Sequence, residues 1–167
     1  YQNEELVKTY TTDKNGYFLT DYFPCGNEWT IKEISPSPGY LLDKTVYHMA
    51  ADAQFFTVEL NTVYYECYEQ VIKGNILIAK HSDIAPDGAE IDTPEKGAEF
   101  EVYLKSSGSY ENAKESERDI LVTDEDGFAI TKDLPYGTYT VKRTKGLDGT
   151  DIMNPFDVYI NEEGKVY

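Results

Sequence analysis

An all-β fold built as tandem antiparallel β-sandwiches is what this sequence predicts, and three observations carry the prediction. Apolar and polar residues alternate along short segments nearly throughout the chain. Turn pairs separate those segments at Asn15-Gly16, Pro38-Gly39, Asp126-Gly127 and Glu163-Gly164. Finally, one segment is written twice, as TDKNGYFLTDYFPCGNEWTIKE at 12–33 and TDEDGFAITKDLPYGTYTVKR at 123–143. Gly16 and Gly127 stand 111 residues apart, as do Pro24 and Pro135. A period so far above the roughly 20 to 50 residues of a solenoid repeat marks copies of a whole domain.

In chain order, NEWTIKE puts Trp29, Ile31 and Glu33 on one face of a strand. GNILIAK does the same for Ile76, Ile78 and Lys80. GAEFEVYL turns Phe100, Val102 and Leu104 inward and leaves Glu99, Glu101 and Tyr103 outside. TYTVKR aligns Tyr139, Val141 and Arg143, and FDVYI aligns Phe156, Val158 and Ile160. SYENAKESERDI, at 109–120, is the one stretch that reads as a short helix or a long polar loop. Several short strands with turns between them argue for antiparallel sandwiches.

The phase of the repeat divides the chain. FTVELNTVYYECYEQVIKG lines up with FDVYINEEGKVY, Phe56 with Phe156 and Tyr64 with Tyr167. Residues 1–72 therefore read as the C-terminal half of a first domain, and 73–167 as a second domain without its last strand, both excised from a longer array. The first copy is expected to leave an open sheet edge that another chain or a neighbouring copy can cover. The junction at 69–74, EQVIKG, has no Pro, Ser or Gly-rich spacer, so bending there should be restricted.

Composition narrows the function classes. Hydrophobic content of 40% with fifteen tyrosines suits folded β modules better than disorder. A net charge of −16 opposes nucleic acid and anionic membrane, which need basic patches. No apolar run reaches spanning length. His48 and His81 stand without Cys or His at ligand spacing, and no serine sits in a nucleophile elbow. DKNG and DEDG lack the later ligands of a calcium loop and read as hairpin turns, so neither a metal nor a cofactor is expected. Cys25 and Cys67 admit a disulfide or two free buried thiols, and spacing does not choose.

KGNILIAK, EKGAEFEVYL and VTDEDGFAITKDLPYGTYTVK resemble successive motifs of the Cna protein B-type domain, the SpaA-like, prealbumin-like module of Gram-positive surface proteins. The resemblance covers 73–167 almost completely. It covers 10–70 as the second half of another copy, through WTIKEISPSPGY. It implies an Ig-like, prealbumin-like sandwich in the stalk of a cell-wall-anchored adhesin or pilin, extracellular and without enzymatic turnover. LPYGT at 134–138 belongs to this pattern as a turn and is no sorting signal.

The resemblance also implies a self-formed Lys–Asn isopeptide bond helped by an acidic residue. Amide exchange needs a neutral amine and a protonated carboxyl, and burial favours both. Lys80 matches the family's lysine; the alternative is a packed stem with its ammonium in water. Glu33 matches the assisting acid, against the alternative of a half-exposed strand carboxylate. In the second copy that position holds Arg143, which cannot lend and recover a proton. There either another carboxyl serves or no bond forms, and the Asn of the missing last strand leaves Lys80 without an evident partner.

Two functions follow. The first is a stalk or spacer whose partners are neighbouring domains of the same protein. The alternative is a module that grips a host or matrix protein directly, with Tyr103, Tyr110 and Tyr159 as candidate contacts. Tyrosines gathered on one patch would favour the alternative, and scattered ones the spacer.

Overall fold

The computed structural model describes residues 1–167 other than 52, 60, 83–91 and 147–151. The chain divides into unit 1, Tyr1–Ser37 with Leu42–Gln70, and unit 2, Pro38–Leu41 with Val71–Tyr167. No helix is long and apolar enough to cross a membrane.

In unit 1, β1 (Gly26–Ile31) pairs antiparallel with β2 (Tyr47–Ala51), Trp29 opposite Met49 and Ile31 opposite Tyr47. Trp29 donates its indole N–H to Pro24 O at 3.0 Å and packs on Phe23. Residues 64–70, which the repeat sets against the end of the second copy, form no strand before Gln70–Val71. Every side chain of YYECYEQ is exposed, so neither face of the stretch is buried.

Unit 2 is a two-layer sandwich. One layer is a four-stranded antiparallel sheet formed by β4 (Glu99–Leu104), β5 (Arg118–Val122), β7 (Gly137–Lys145) and β8 (Phe156–Ile160), in the spatial order β5-β4-β7-β8. The other contains β3 (Leu77–Ala79) paired with β6 (Phe128–Ile130), and Lys73–Gly74 paired with Leu134–Pro135. Period-2 alternation sends Phe100, Val102, Tyr139, Val141 and Ile160 inward from the first layer, where they meet Ile76, Ile78 and Leu134 from the second. Among the described residues every buried hydrophobic side chain lies in unit 2.

The polar stretch at 109–120 is loop with one 3-10 turn at Glu115–Glu117, but its last residues open β5. Their polar side chains are used locally: Arg118 donates to Tyr110 O at 3.0 Å, and Asp119 Oδ2 accepts the Lys132 N–H at 2.8 Å. At the far edge, Asn75 and Val166 form a parallel bridge. Asn75 N–H donates to Lys165 O at 3.0 Å, and Leu77 N–H to Tyr167 O at 2.8 Å.

Candidate functional site

The repeated turn builds one side of the site. Asp124 Oδ1 accepts the N–H groups of Asp126 and Phe128, which leaves Gly127 at φ +78° and points its carbonyl at Lys80 N–H, 2.8 Å away. Lys80 O in turn accepts the Glu95 N–H at 2.9 Å. Lys80 is thus held by its backbone at the end of β3 before its side chain makes any contact.

The side chain then meets Glu95. Nζ lies 3.1 Å from Glu95 Oε2 and also donates to His81 O. Oε1 of the same carboxylate pairs with the Arg143 guanidinium, whose Nε donates to Lys145 O at 3.2 Å. The Glu95 and Arg143 side chains are 2% and 4% exposed, and that of Lys80 is 20% exposed. Parity had placed Lys80 and Arg143 inward, and both are there. Sequence reasoning did not single out Glu95. The signal that could have found it is Arg143 itself, since an inward arginine requires a carboxylate within reach.

Glu33 belongs to unit 1 and Lys80 to unit 2. Glu33 Oε2 accepts the Asp43 N–H at 2.6 Å, and its carboxyl is hydrogen-bonded to Glu69, which raises the Glu69 carboxyl above the usual range. The disulfide considered for Cys25 and Cys67 is not made. Both thiols are free and exposed, so the reading of two buried thiols fails as well. Cys67 instead reaches the Tyr47 hydroxyl, which it helps to hold in the protonated form after the larger effect of Asp43.

Two of the candidate contact tyrosines share a face of the sheet, on strands separated by β7. Tyr103 on β4 faces Arg118 on one side and Thr140 on the other, and Tyr159 on β8 faces Thr138, all on the outer surface of the sheet. Tyr110 packs against the Arg118 guanidinium at 4.8 Å, and Tyr136 meets Tyr159 edge-on at 5.5 Å. The charges around them are mutually paired, Lys105 with Asp157 and Lys142 with Glu101. Within the same unit, a groove of about 290 Å3 runs between β3 and β8, lined by Leu77, Ala79, Lys80, Phe156, Val158 and Tyr167 among others.

The family described as the SpaA prealbumin-like fold domain matches residues 1–64 and 86–167. The chain belongs to this family. SpaA membership carries the prealbumin-like β fold to both stretches, while β3 and Lys80 lie in the interval between them. Among solved structures, the Bacillus anthracis TIE protein is 28% identical with a TM-score of 0.68; the match covers 93% of this chain and 26% of that one. A streptococcal ancillary pilin is 21% identical with a TM-score of 0.42, covering 87% of this chain and 41% of that one. The chain thus spans about a quarter to two fifths of these proteins' lengths. No curated protein matches it. A module of the SpaA prealbumin-like fold is what these likenesses support.

Proposed function

We propose that the chain is a stalk or spacer segment of a Gram-positive, cell-wall-anchored surface protein, an adhesin or pilin, built from successive SpaA-type domains. Residues 1–72 and 73–167 are, on this reading, parts of two copies. The observation that carries it is the recurrence at 111 residues of one turn with the same hydrogen bonds at Asp13 and Asp124, inside a chain of the SpaA family. Its partners are the neighbouring domains, and the unspaced junction at 69–74 suits a joint that transmits load. Exposed apolar residues of unit 1, among them Leu19, Tyr64 and Tyr68, support covering of that unit by a neighbouring copy or chain through strand pairing. The reading involves no substrate turnover.

The shared face of Tyr103 and Tyr159 favours a second reading, direct recognition of a host or matrix protein. One experiment separates them. Labelled chain is titrated on immobilised matrix proteins, alongside a Tyr103→Ala/Tyr159→Ala variant. The spacer reading expects no saturable binding by either. Saturable binding that the double variant abolishes would replace it with the adhesin reading.

A further inference from the structure

We propose that Lys80, Glu95 and Arg143 form a buried ionic clasp that closes unit 2 without a covalent bond, and that Lys80 serves there as a bridging cation instead of a crosslinking amine. The inference concerns the fold of unit 2 and does not depend on the stalk reading.

The valences at the site carry it. Amide formation between a lysine and a side-chain carboxamide needs a free lone pair on the amine and a carboxyl with a proton to deliver to the departing ammonia. In this chain both groups are engaged otherwise. Glu95 commits Oε1 to Arg143 and Oε2 to Lys80, and Lys80 Nζ donates to that oxygen and to His81 O. The position matched to the assisting acid holds a guanidinium, which stays charged at any ordinary pH. The carboxamide of Asn75 is engaged with Thr131 O and Asp133, both at 3.0 Å.

The charges are arranged as a compensated exchange. Where the resemblance implies one carboxylate on the strand of Arg143, this chain puts an arginine there and a carboxylate on the segment just ahead of β4. The surroundings accommodate the guanidinium: Gly146 lies against it so closely that a Cβ at that position would collide with Nη2. No described buried side-chain nitrogen or oxygen is left without a hydrogen-bond partner. The three side chains come from the end of β3, the turn before β4 and β7, so the clasp ties the two layers together at one end of the sandwich.

Removing Glu95 or Arg143 alone strands a buried charge, whereas replacing both leaves only Lys80, which at 20% exposed can turn its ammonium to water. The test uses the full chain. Its intact mass should equal the sequence mass. In the native protein Lys80 should react with an acetylating reagent about tenfold more slowly than exposed Lys44, because its ammonium must first leave charge-assisted bonds. Glu95→Leu or Arg143→Met alone should raise the unfolding equilibrium constant on the order of 100-fold, and the double variant should lose less than the two singles together. In the double variant Lys80 should label faster. Arg143→Lys, which keeps the charge and folds most readily, should leave Lys80 slow. A mass short by one ammonia that maps to Lys80, acetylation of Lys80 as fast as Lys44, or losses that simply add would each overturn the clasp.

Discussion

Asp13 and Asp124, 111 residues apart, hold their turns with the same hydrogen bonds. Asp13 Oδ1 accepts from Asn15 N at 2.8 Å and Tyr17 N at 3.1 Å; Asp124 Oδ1 accepts from Asp126 N at 3.0 Å and Phe128 N at 2.9 Å. In each turn the glycine that follows returns its N–H to the aspartate carbonyl. Asp124→Ala removes two charge-assisted acceptor bonds and should destabilise unit 2 by about 1 to 3 kcal/mol. Amide hydrogen exchange in β4 and β7 reads the loss, and unchanged protection would contradict the role given to the turn.

The glycines of the same turns should respond unequally. Both have positive φ, +81° at Gly16 and +78° at Gly127, so alanine costs about 1 to 2 kcal/mol of backbone strain at either. A Cβ at Gly16 meets nothing within 4 Å, whereas one at Gly127 collides with the Lys80 carbonyl. Gly127→Ala should therefore cost clearly more than Gly16→Ala. It should also raise hydrogen exchange at Lys80 N–H, the bond that the Gly127 carbonyl accepts.

Unit 2 should lose stability in alkali. Burial pushes the Tyr139 phenol far above its usual value of 10.0, with a smaller contribution from Glu117. Since the folded value is raised, the stabilisation is fully present below pH about 10, the unfolded value, and is lost as pH climbs toward the folded one. Tyr139→Phe deletes this dependence, along with the bond to Pro135 O at 2.9 Å, at a cost of about 1 kcal/mol near neutrality. Urea unfolding at neutral pH and above pH 10 checks both signs; a variant as alkali-sensitive as the parent would place the titration elsewhere.

The Glu33–Glu69 pair should make unit 1 prefer acid. The Glu69 carboxyl is raised first by its hydrogen bond to Glu33, then by desolvation and repulsion. A raised carboxyl stabilises below its unfolded value of 4.5, and that contribution disappears as pH rises through the folded value. Glu69→Gln keeps a donor toward Glu33 at neutral pH and should raise the unit 1 midpoint there. The fluorescence of Trp29, the single tryptophan of the chain, reports it, and a lowered midpoint would refute the pairing.

Truncation should separate the two units energetically. Phe100, 1% exposed, fills the centre of unit 2, and Phe100→Ala should cost about 3 to 5 kcal/mol. Leu19, 77% exposed in unit 1, should change stability by no more than about 0.5 kcal/mol when replaced by alanine. A larger loss at Leu19 would mean that something covers it in solution.

Much of unit 2 was legible because its strands alternate cleanly. Parity counted along GAEFEVYL and TYTVKR put Phe100, Val102, Tyr139, Val141 and Arg143 inside, and they are buried. Parity failed at Glu95. The turn at Lys96-Gly97, with Gly97 at φ +80°, breaks the extended backbone, so a count back from Phe100 no longer says which way Glu95 points. Counting also failed at 118–120, where polar residues that look like loop are strand because Arg118 and Asp119 spend their side chains on backbone groups nearby.

The sequence by itself determined the repeat, the turn chemistry and the inward faces of the strands, because each of these is a local property of φ, ψ and side-chain alternation. Only the tertiary structure decided which carboxylate faces Lys80, why Gly127 is crowded while Gly16 is open, and that Tyr103 and Tyr159 share a surface. Those depend on residues brought together across strand pairings and two packed layers, and no count along the chain contains such distances.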